Sequence, residues 1–327
     1  DESDSLEPWF CMRMLHLVTI ILFVYMHPTH GHAGNEWSYK GGDGPRHWSD
    51  NFPHCAGMRQ SPISIRTNDT VVDSERLAPI NMTDNDSPSK LQMRLENKGY
   101  TAEVEFKGVP SSITGGGLTD IYRAKQFHFH WGKIDKRGSE HAIDGNYFPM
   151  EMHIVHYSTN YTNFSEALDK QDGLAVLAFF FEVGNHNIHL DDLVNQLPKV
   201  THKGDHTTLE SFSFRYLLPS TLDTYCRYSG SLTTPPCYES VNWFIFYETI
   251  KISEKQLNAF RHILQTFENQ TKTANISNDF RPTQPLNLRI VSCSKDMRTR
   301  GNKKANKVSP TMNFGEQQST LKQPTHH

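Results

Sequence analysis

One short segment restricts the fold of this 327-residue chain more than any other. Residues 174–181 read Leu-Ala-Val-Leu-Ala-Phe-Phe-Phe and are apolar at every position. A strand that is apolar on both faces is typical of the middle of a sheet that is covered on both sides. The segment therefore predicts a central β-strand with a packed layer above it and another below it.

Strand patterns also dominate the rest of the chain between Asn35 and about Ser294, where we find no repeat and no break in composition. We expect a mainly β protein in which one domain carries a large twisted, mostly antiparallel sheet with short peripheral helices. The better helix covers Glu254 to Phe267 and begins with a capping box of Ser253 and Gln256, and a second covers 191–197 before Pro198. The predicted strands are 91–95, 102–106, 126–131, 151–157, 174–183, 241–250 and 288–291.

The charge balance excludes one class of partner. The chain has 33 Lys and Arg residues against 36 Asp and Glu residues, a net charge of −3. Without a basic excess, binding to nucleic acid through its phosphates has no electrostatic support over the body of the chain. Because of this charge balance we expect no nucleic-acid partner. With 36% hydrophobic residues, the composition is that of a soluble globular protein.

Both ends of the chain differ from this domain. The apolar run Leu17 to Tyr25 follows Arg13 and precedes the small residues of Gly31-His-Ala33, a pattern typical of a secretory signal. The run is too short to favour a membrane span, which is the weaker interpretation. Residues 1–11 fit no signal, and Met12 or Met14 would be a better start. We therefore predict upstream residues and a signal over 1–33, and a secreted, extracellular protein without a membrane span.

The main domain is predicted over 34–295 and a disordered tail over 296–327. From Arg298 onward the chain has six basic residues against the single acidic Glu316, in a polar segment without periodicity. Such a tail could bind an acidic matrix or a mineral surface, although a solvated tail is the favoured interpretation.

Secretion agrees with two further features. Loss of Cys11 with the leader leaves four cysteines, an even number that allows three pairings in an oxidising compartment. Acceptor motifs for N-linked glycans are also dense. They begin at Asn68, Asn81, Asn85, Asn160, Asn163, Asn269 and Asn275.

The chemistry is concentrated in two strands. In Gln126-Phe-His-Phe-His-Trp131, the two-residue period places Gln126, His128 and His130 on one face and the aromatic residues on the other. Glu151 and His153 share a face in the same way. Three imidazoles on rigid strands, with carboxylate and amide neighbours, describe a catalytic zinc site with an open fourth position. A chance arrangement in a chain with 18 histidines is the alternative for the motif alone.

The wider sequence resembles the alpha-class carbonic anhydrases from about Trp37 to Val291. The matching segments are 37–39, 44–48, 59–63, 126–132, 138–141, 151–156, 173–177, 230–236 and 281–285. The resemblance implies the fold of that family and a zinc enzyme that hydrates carbon dioxide reversibly to bicarbonate and a proton, by means of a zinc-bound hydroxide.

The resemblance also implies roles for single residues. His128, His130 and His153 match the zinc ligands, while Gln126 and Glu151 match the residues that orient them. Thr233 and Glu140 match the pair that orients the hydroxide, and Thr234 matches a residue that contacts bicarbonate. The apolar wall that receives carbon dioxide is matched by Val155, Val176, Leu232, Val241 and Trp243.

Some positions depart from the family pattern. Tyr100 stands where fast members have a proton-relaying His, and tyrosine transfers protons poorly near neutral pH because its ordinary pKa is about 10. Lys98 and Glu103 occupy rim positions where small amides are usual. Cys55 and Cys237 match a disulfide of secreted members, which leaves Cys226 and Cys293 bonded together, free or used between chains.

Two other functions remain open at this stage. A carbonic-anhydrase-like domain can be a non-catalytic binding module, although such domains lack a zinc ligand and this chain has all three histidines. A mineral- or matrix-associated protein, localised by its basic tail, is compatible with catalysis.

Overall fold

The computed structural model describes residues 37–83, 91–108, 110–209, 214–266 and 274–298. The predicted signal, nearly all of the tail, Asn85 and Asn269 lie outside these residues. The described part contains fourteen strands. They are β1 (Ser64–Ile65), β2 (Val71–Val72), β3 (Asn81–Met82), β4 (Leu91–Asn97), β5 (Ala102–Gly108), β6 (Ser112–Thr114), β7 (Tyr122–Trp131), β8 (Ala142–Ile143), β9 (Met150–Ser158), β10 (Leu174–Val183), β11 (His206–Leu209), β12 (Tyr225–Gly230), β13 (Val241–Ile252) and β14 (Ser292–Cys293).

The helices of the described residues are all short. The α-helices are α1 (Trp48–Asn51), α2 (Phe164–Ala167), α3 (Asp191–Val194) and α4 (Glu254–Phe260). The 3₁₀ helices are Gly41–Asp43, Pro53–Ala56, Thr67–Asp69, Ile188–Leu190, Leu197–Val200 and Phe214–Leu217. In this part of the chain no helix has the length and hydrophobicity needed to cross a bilayer.

Twelve of the strands form one sheet, with the main order β11-β4-β5-β7-β9-β10-β13-β12-β14-β2 and with β6 joining β3 to β7. Most neighbours are antiparallel, while β10 pairs with β13 and β14 pairs with β2 in parallel. Strands β1 and β8 make a separate parallel pair. The predicted mainly β fold, with a large and mostly antiparallel sheet and short helices, is confirmed.

Strand β10 lies in the middle of this sheet and contributes to two cores. Its residues 175, 177, 179 and 181 belong to the larger hydrophobic cluster. Residues 174, 176, 178 and 180 belong to a second cluster. Because side chains alternate between the faces of a strand, the two clusters lie on opposite faces of β10. The prediction of a central strand covered on both sides is confirmed.

Helix α4 is shorter than predicted. Its capping box of Ser253 and Gln256 is present, but the helix ends at Phe260. Beyond that point the backbone bonds to other segments, since Leu264 N donates to Thr201 O and Ile276 N donates to Ile263 O. Backbone pairing thus replaced the last helical turns that the apolar spacing predicted.

Two other predictions were wrong in detail. Residues 288–291 do not form a strand: a turn at 287–288 is closed by the bond from Arg289 N to Leu286 O, the side chain of Leu288 is fully exposed, and strand β14 begins only at Ser292. The helix predicted over 191–197 ends at Val194, and Pro198 lies in the first turn of the 3₁₀ helix that follows. A proline is tolerated there because its missing N–H would have no helical partner.

Two disulfides are present. Cys55 and Cys237 are bonded with their Cα atoms 4.9 Å apart, as the family resemblance implied. Cys226 and Cys293 are also bonded and face each other across the antiparallel pair of β12 and β14. Of the alternatives for the second pair, the structure therefore has the intramolecular bond.

Candidate metal centre

Strands β7 and β9 bring the three predicted histidines together. The strands are antiparallel neighbours, and His128 lies directly opposite His153. The ring centroids of the three imidazoles are 4.7–5.2 Å apart. One nitrogen of each ring lies within 4.8 Å of the other two. The alternation of the sequence therefore produces a triangle of imidazole nitrogens.

In each ring, one of the two nitrogens forms a hydrogen bond that fixes the orientation of the ring. The contacts are His128 Nδ1 to Gln126 Oε1 (2.9 Å), His130 Nδ1 to the carbonyl of Asp279 (2.6 Å) and His153 Nε2 to Glu151 Oε1 (2.7 Å). Since a carboxylate or a carbonyl oxygen can only accept, the rings of His130 and His153 must carry their protons on these nitrogens. When these two rings are neutral, their opposite nitrogens are therefore unprotonated and available to a metal.

Glu151 accepts hydrogen bonds from several groups besides His153. Its Oε1 also accepts from His141 Nδ1 at 2.7 Å, and its Oε2 accepts from the backbone N–H groups of Glu140 and His141, each at 2.8 Å. Burial favours the protonated acid, but His141 and His153 outweigh it and hold the pKa of Glu151 well below its ordinary value. The group is therefore an ionised acceptor that fixes the orientation of His153.

The centre contains buried atoms that lack a protein partner. His130 Nε2 and Glu140 Oε2 are both buried without a hydrogen bond, and they lie 3.4 Å apart. Buried polar atoms are rarely left unpaired. Burial lowers the pKa of both His128 and His153. For His130 burial also acts downward, but Glu140 and Asp279 outweigh it and raise the pKa.

These observations fit a divalent cation. Neutral imidazoles are the form that binds metal, and the carboxylate of Glu140 favours positive charge near His130 Nε2. Three histidines with an open fourth position are a known donor set for catalytic zinc. The residues present therefore suit zinc at the point that the three nitrogens share.

A second group of possible ligands adjoins the first. His141, Glu151 and His153 also lie close enough to share an ion. Because the oxygens of Glu151 already accept four hydrogen bonds, this group supports the ligands of the first site and is not a separate centre.

Sequence reasoning missed the partners of these residues. His141 Nε2 lies 2.6 Å from Tyr228 Oη, which lies 2.9 Å from Ser61 Oγ. Arg281 N donates to Glu140 Oε1 at 2.8 Å. His141 adjoins Glu140 in one of the matching segments, so its position was a usable signal. Its partner Tyr228 is 87 residues away in the chain and could not be inferred from spacing.

Thr233 and Thr234 lie on the loop between β12 and β13. Thr233 is buried, and the loop is tied down by the disulfide of Cys237 and by a hydrogen bond from Cys237 N to Thr234 O. In the described residues no hydrogen bond joins Thr233 to Glu140, whose Oε2 lacks a donor. The pair that the resemblance implied is therefore not joined by a hydrogen bond in this structure.

The apolar residues of the expected wall belong to one cluster. Val155, Val176, Val241 and Trp243 are buried in it. Leu232 is half-buried and packs against them. The Trp243 ring lies 4.8 Å from the His153 ring, measured between centroids. The cluster therefore adjoins the metal centre.

Tyr100 lies at the turn between β4 and β5, in an acidic environment. Burial is the main cause that raises its pKa to about 12, and Glu103 and Glu96 add to the effect. The ammonium of Lys98 lies 3.2 Å from Glu96 and 3.9 Å from Glu103. Tyr100 is therefore un-ionised at neutral pH.

The predicted glycan acceptors that the structure describes lie at the surface. They are Asn68, Asn81, Asn160, Asn163 and Asn275, all exposed. Two of them have engaged side chains, because Asn163 Oδ1 caps helix α2 and Asn275 Nδ2 donates to Arg261 O. Whether these sites are modified stays a prediction.

The fold and the centre together define a protein class. A large, mostly antiparallel sheet presents three imidazoles to one point beside an apolar cluster, which is the donor set of a histidine-liganded metal site. Residues 43–295 match the family model described as eukaryotic-type carbonic anhydrase. The chain is 40% identical to carbonic anhydrase 7 of Homo sapiens over 267 residues, which covers 81% of this chain and 98% of the relative. It is also 40% identical to carbonic anhydrase 1 of Monodelphis domestica over 265 residues, 80% of this chain and 99% of the relative.

This protein belongs to the eukaryotic-type carbonic anhydrase family. Membership supports carbon dioxide hydration as the general activity, zinc as the metal and a small molecule as the substrate.

Proposed function

We propose that this protein is a secreted enzyme that hydrates carbon dioxide reversibly at a zinc ion held by His128, His130 and His153. Family membership supports the reaction in general terms. The observation that carries the proposal for this chain is the assembled triad, with its other nitrogens tied to fixed acceptors and with His130 Nε2 left buried and unpartnered.

Zinc, when bound, lowers the pKa of a coordinated water, an effect for which carbonic anhydrase is itself the standard example. Glu151 and the carbonyl of Asp279 keep the ligand nitrogens of His153 and His130 unprotonated. An uncharged donor set leaves the charge of the ion uncompensated, which favours ionisation of the water.

Glu140 and Thr233 then orient the nucleophile. Glu140 Oε1 accepts from Arg281 N, whereas the buried Oε2 has no donor and is available to accept the hydroxyl proton of Thr233. With its proton directed to Glu140, the Thr233 oxygen must accept a hydrogen bond from the attacking oxygen group and hold it toward the substrate carbon. We infer that this arrangement forms when the centre is loaded.

The apolar wall suits the substrate. Carbon dioxide is small and uncharged, so it needs apolar surface beside the metal and no cationic clamp. Val155, Val176 and Trp243 offer such a surface next to His153, and we propose that Thr234 contacts the bicarbonate product.

The test measures zinc stoichiometry and carbon dioxide hydration on the same samples of wild type and His153→Ala. We expect one zinc per chain and hydration in the wild type, and loss of both in the variant. A wild type that binds one zinc without hydration would instead favour the alternative, a carbonic-anhydrase-like binding module.

Secretion is a separate part of the proposal. It is supported by the apolar run before Ala33, by the two disulfides and by the exposed acceptor asparagines. Expression in secretory cells should give an extracellular protein whose mass falls on treatment with a glycosidase. An intracellular, unmodified product would contradict this part while leaving the enzymatic part intact.

The basic tail is the remaining part. We propose that residues 296–327 can hold the enzyme to an acidic matrix or mineral surface, which rests on composition alone. Deletion of 298–327 should reduce retention on such a surface without changing hydration.

A further inference from the structure

A cleft lies outside the metal centre. It has a volume of about 800 Å³ and is bounded by residues from 39–47, from 133–137 and from 278–282. Ligand sites in proteins commonly have volumes of this size. The catalytic roles assigned above do not use this cleft.

The cleft is lined by cations on two separate loops. Lys40 and Arg46 come from one loop and Lys133 and Arg137 from the other, and all four are exposed. The lining contains no aspartate or glutamate. In the part of the chain that the structure describes, none of these four side chains takes part in an ion pair. Among the described residues, no carboxylate is therefore paired with these four positive charges, which favour an anionic ligand.

The nearest acidic side chains do not cancel this charge. Asp135 belongs to the second loop but is paired with Arg261 at 2.7 Å. Asp50 is paired with His47, the fifth basic residue of the lining, at 3.4 Å. Asp43 is exposed and is not among the residues that line the cleft.

The loop 133–137 is fixed in place. A Cβ atom on Gly132 would lie 1.7 Å from Arg137 O, and one on Gly138 would lie 1.7 Å from Pro149 O, so neither position tolerates a side chain. The Arg137 guanidinium lies 4.4 Å from the ring centroid of Tyr147 and 4.9 Å from that of Phe280. A guanidinium held against two rings loses little further entropy when it binds an anion.

The shape of the lining selects among anionic partners. It consists of turns, one short 3₁₀ helix and extended segments, and none of the sheet's strands lies at the cleft to pair with an extended peptide. A peptide that binds as an added strand needs such a sheet edge. The apolar surfaces of Tyr39, Pro45 and Phe280 instead suit the flat faces of sugar rings, while the cations suit their charged substituents.

We propose that this cleft binds a sulfated polysaccharide chain, with sulfate groups contacting the cations of both loops. Sulfates spaced along one chain suit cations that come from two separate loops. The site is separate from the metal centre, so this binding does not depend on the proposed activity.

The test titrates a heparin-derived hexasaccharide into the full chain and into Arg46→Glu/Lys133→Glu. We expect the double variant to bind at least about tenfold more weakly, since close charge pairs are replaced by repulsion. Lys133→Glu alone is measured beside Lys136→Glu, its matched control, which makes the same single charge reversal in the same loop but does not line the cleft. The control should change the affinity by less than about twofold. Circular dichroism checks that every variant is folded.

Hydrogen exchange separates the cleft from the basic tail. Addition of the hexasaccharide should protect residues 39–47 and 133–137 from exchange. Protection confined to residues beyond 298 would overturn the proposal, as would equal losses of affinity in Lys133→Glu and in Lys136→Glu. Equally tight binding of inorganic sulfate, or tighter binding of a polyglutamate peptide, would overturn the assignment of the ligand.

Discussion

The two faces of strand β7 differ in chemistry over residues 126–131 although they share one backbone. One face carries Phe127, Phe129 and Trp131 into the larger hydrophobic cluster, where all three are fully buried. The other face carries His128 and His130 into the metal centre. The aromatic face fixes the position of the strand, and the imidazole face uses that rigidity to hold the metal.

The comparison indicates how stability and function are divided. Contacts on the aromatic face are apolar and need no partner of specific polarity. The nitrogens on the other face each need an oriented acceptor, such as Glu151 or the Asp279 carbonyl. Changes on the first face should therefore alter stability, and changes on the second should alter metal binding.

The largest effect is expected from His130→Ala. Loss of one of three imidazoles should abolish tight zinc binding and lower carbon dioxide hydration at least about 1000-fold, because the metal supplies the chemistry. Zinc content by atomic absorption and stopped-flow hydration measure both effects. The apo protein should remain folded, and a variant that keeps its zinc would contradict the division between the faces.

Phe129→Ala, between the two histidines of β7, should lower stability and leave zinc binding unchanged. Truncation of a fully buried aromatic should lower the free energy of unfolding by about 3–5 kcal/mol. The fraction that remains folded should still bind one zinc per chain. Urea denaturation gives the stability, with Ile188→Ala as a control because that side chain is 70% exposed. Loss of zinc from the folded fraction would show that the faces are not independent.

His156 allows imidazoles on the two faces of β9 to be compared. It is buried on the same strand as His153 but on the other face. Burial lowers its pKa from 6.5 to about 4. A lowered pKa means that its stabilising contribution is complete above pH 6.5 and is lost as the pH falls toward 4. The loss should be about 3 kcal/mol.

Unfolding measured from pH 7 to pH 4 tests this expectation. His156→Asn keeps a donor near the Ile154 carbonyl, which His156 Nδ1 now contacts at 3.1 Å, and should flatten the pH dependence. The same change at the exposed His206 is the control. An unchanged slope in His156→Asn would show that other groups cause the acid sensitivity.

The smallest effect is expected at the rim. Tyr100 has its pKa raised to about 12 and cannot relay protons near neutral pH. Tyr100→His should raise hydration several-fold in weak buffer and reduce the response to added imidazole buffer, since His titrates near ambient pH. Tyr216→His, at a 69% exposed position, is the control. The same buffer response in Tyr100→His and in the wild type would contradict the interpretation that Tyr100 limits proton transfer.

Local patterns predicted the strands and the faces. The alternation placed His128 and His130 on one face of their strand and His153 with Glu151 on one face of another, and the capping box at Ser253 marked the start of helix α4 correctly. These features depend on periodicity and on neighbours within a few residues. The family resemblance added Thr233 and Glu140, which no local pattern identifies.

Long-range contacts could not be predicted in this way. Helix α4 ends at Phe260 because residues beyond it pair with Thr201 and with the segment after 274. His130 is oriented by the Asp279 carbonyl, 149 residues away in the chain. The bond between Cys226 and Cys293 likewise depends on the pairing of β12 with β14. A single sequence contains no direct signal for such contacts.

The most direct test of the account is X-ray absorption spectroscopy of the zinc-loaded protein. We expect three nitrogen neighbours at about 2.0–2.1 Å and one oxygen neighbour, as for three imidazoles and an open position filled by solvent. Sulfur or additional carboxylate oxygen around the ion, or a purified protein that takes up no zinc, would contradict the assignment of His128, His130 and His153 as the metal centre.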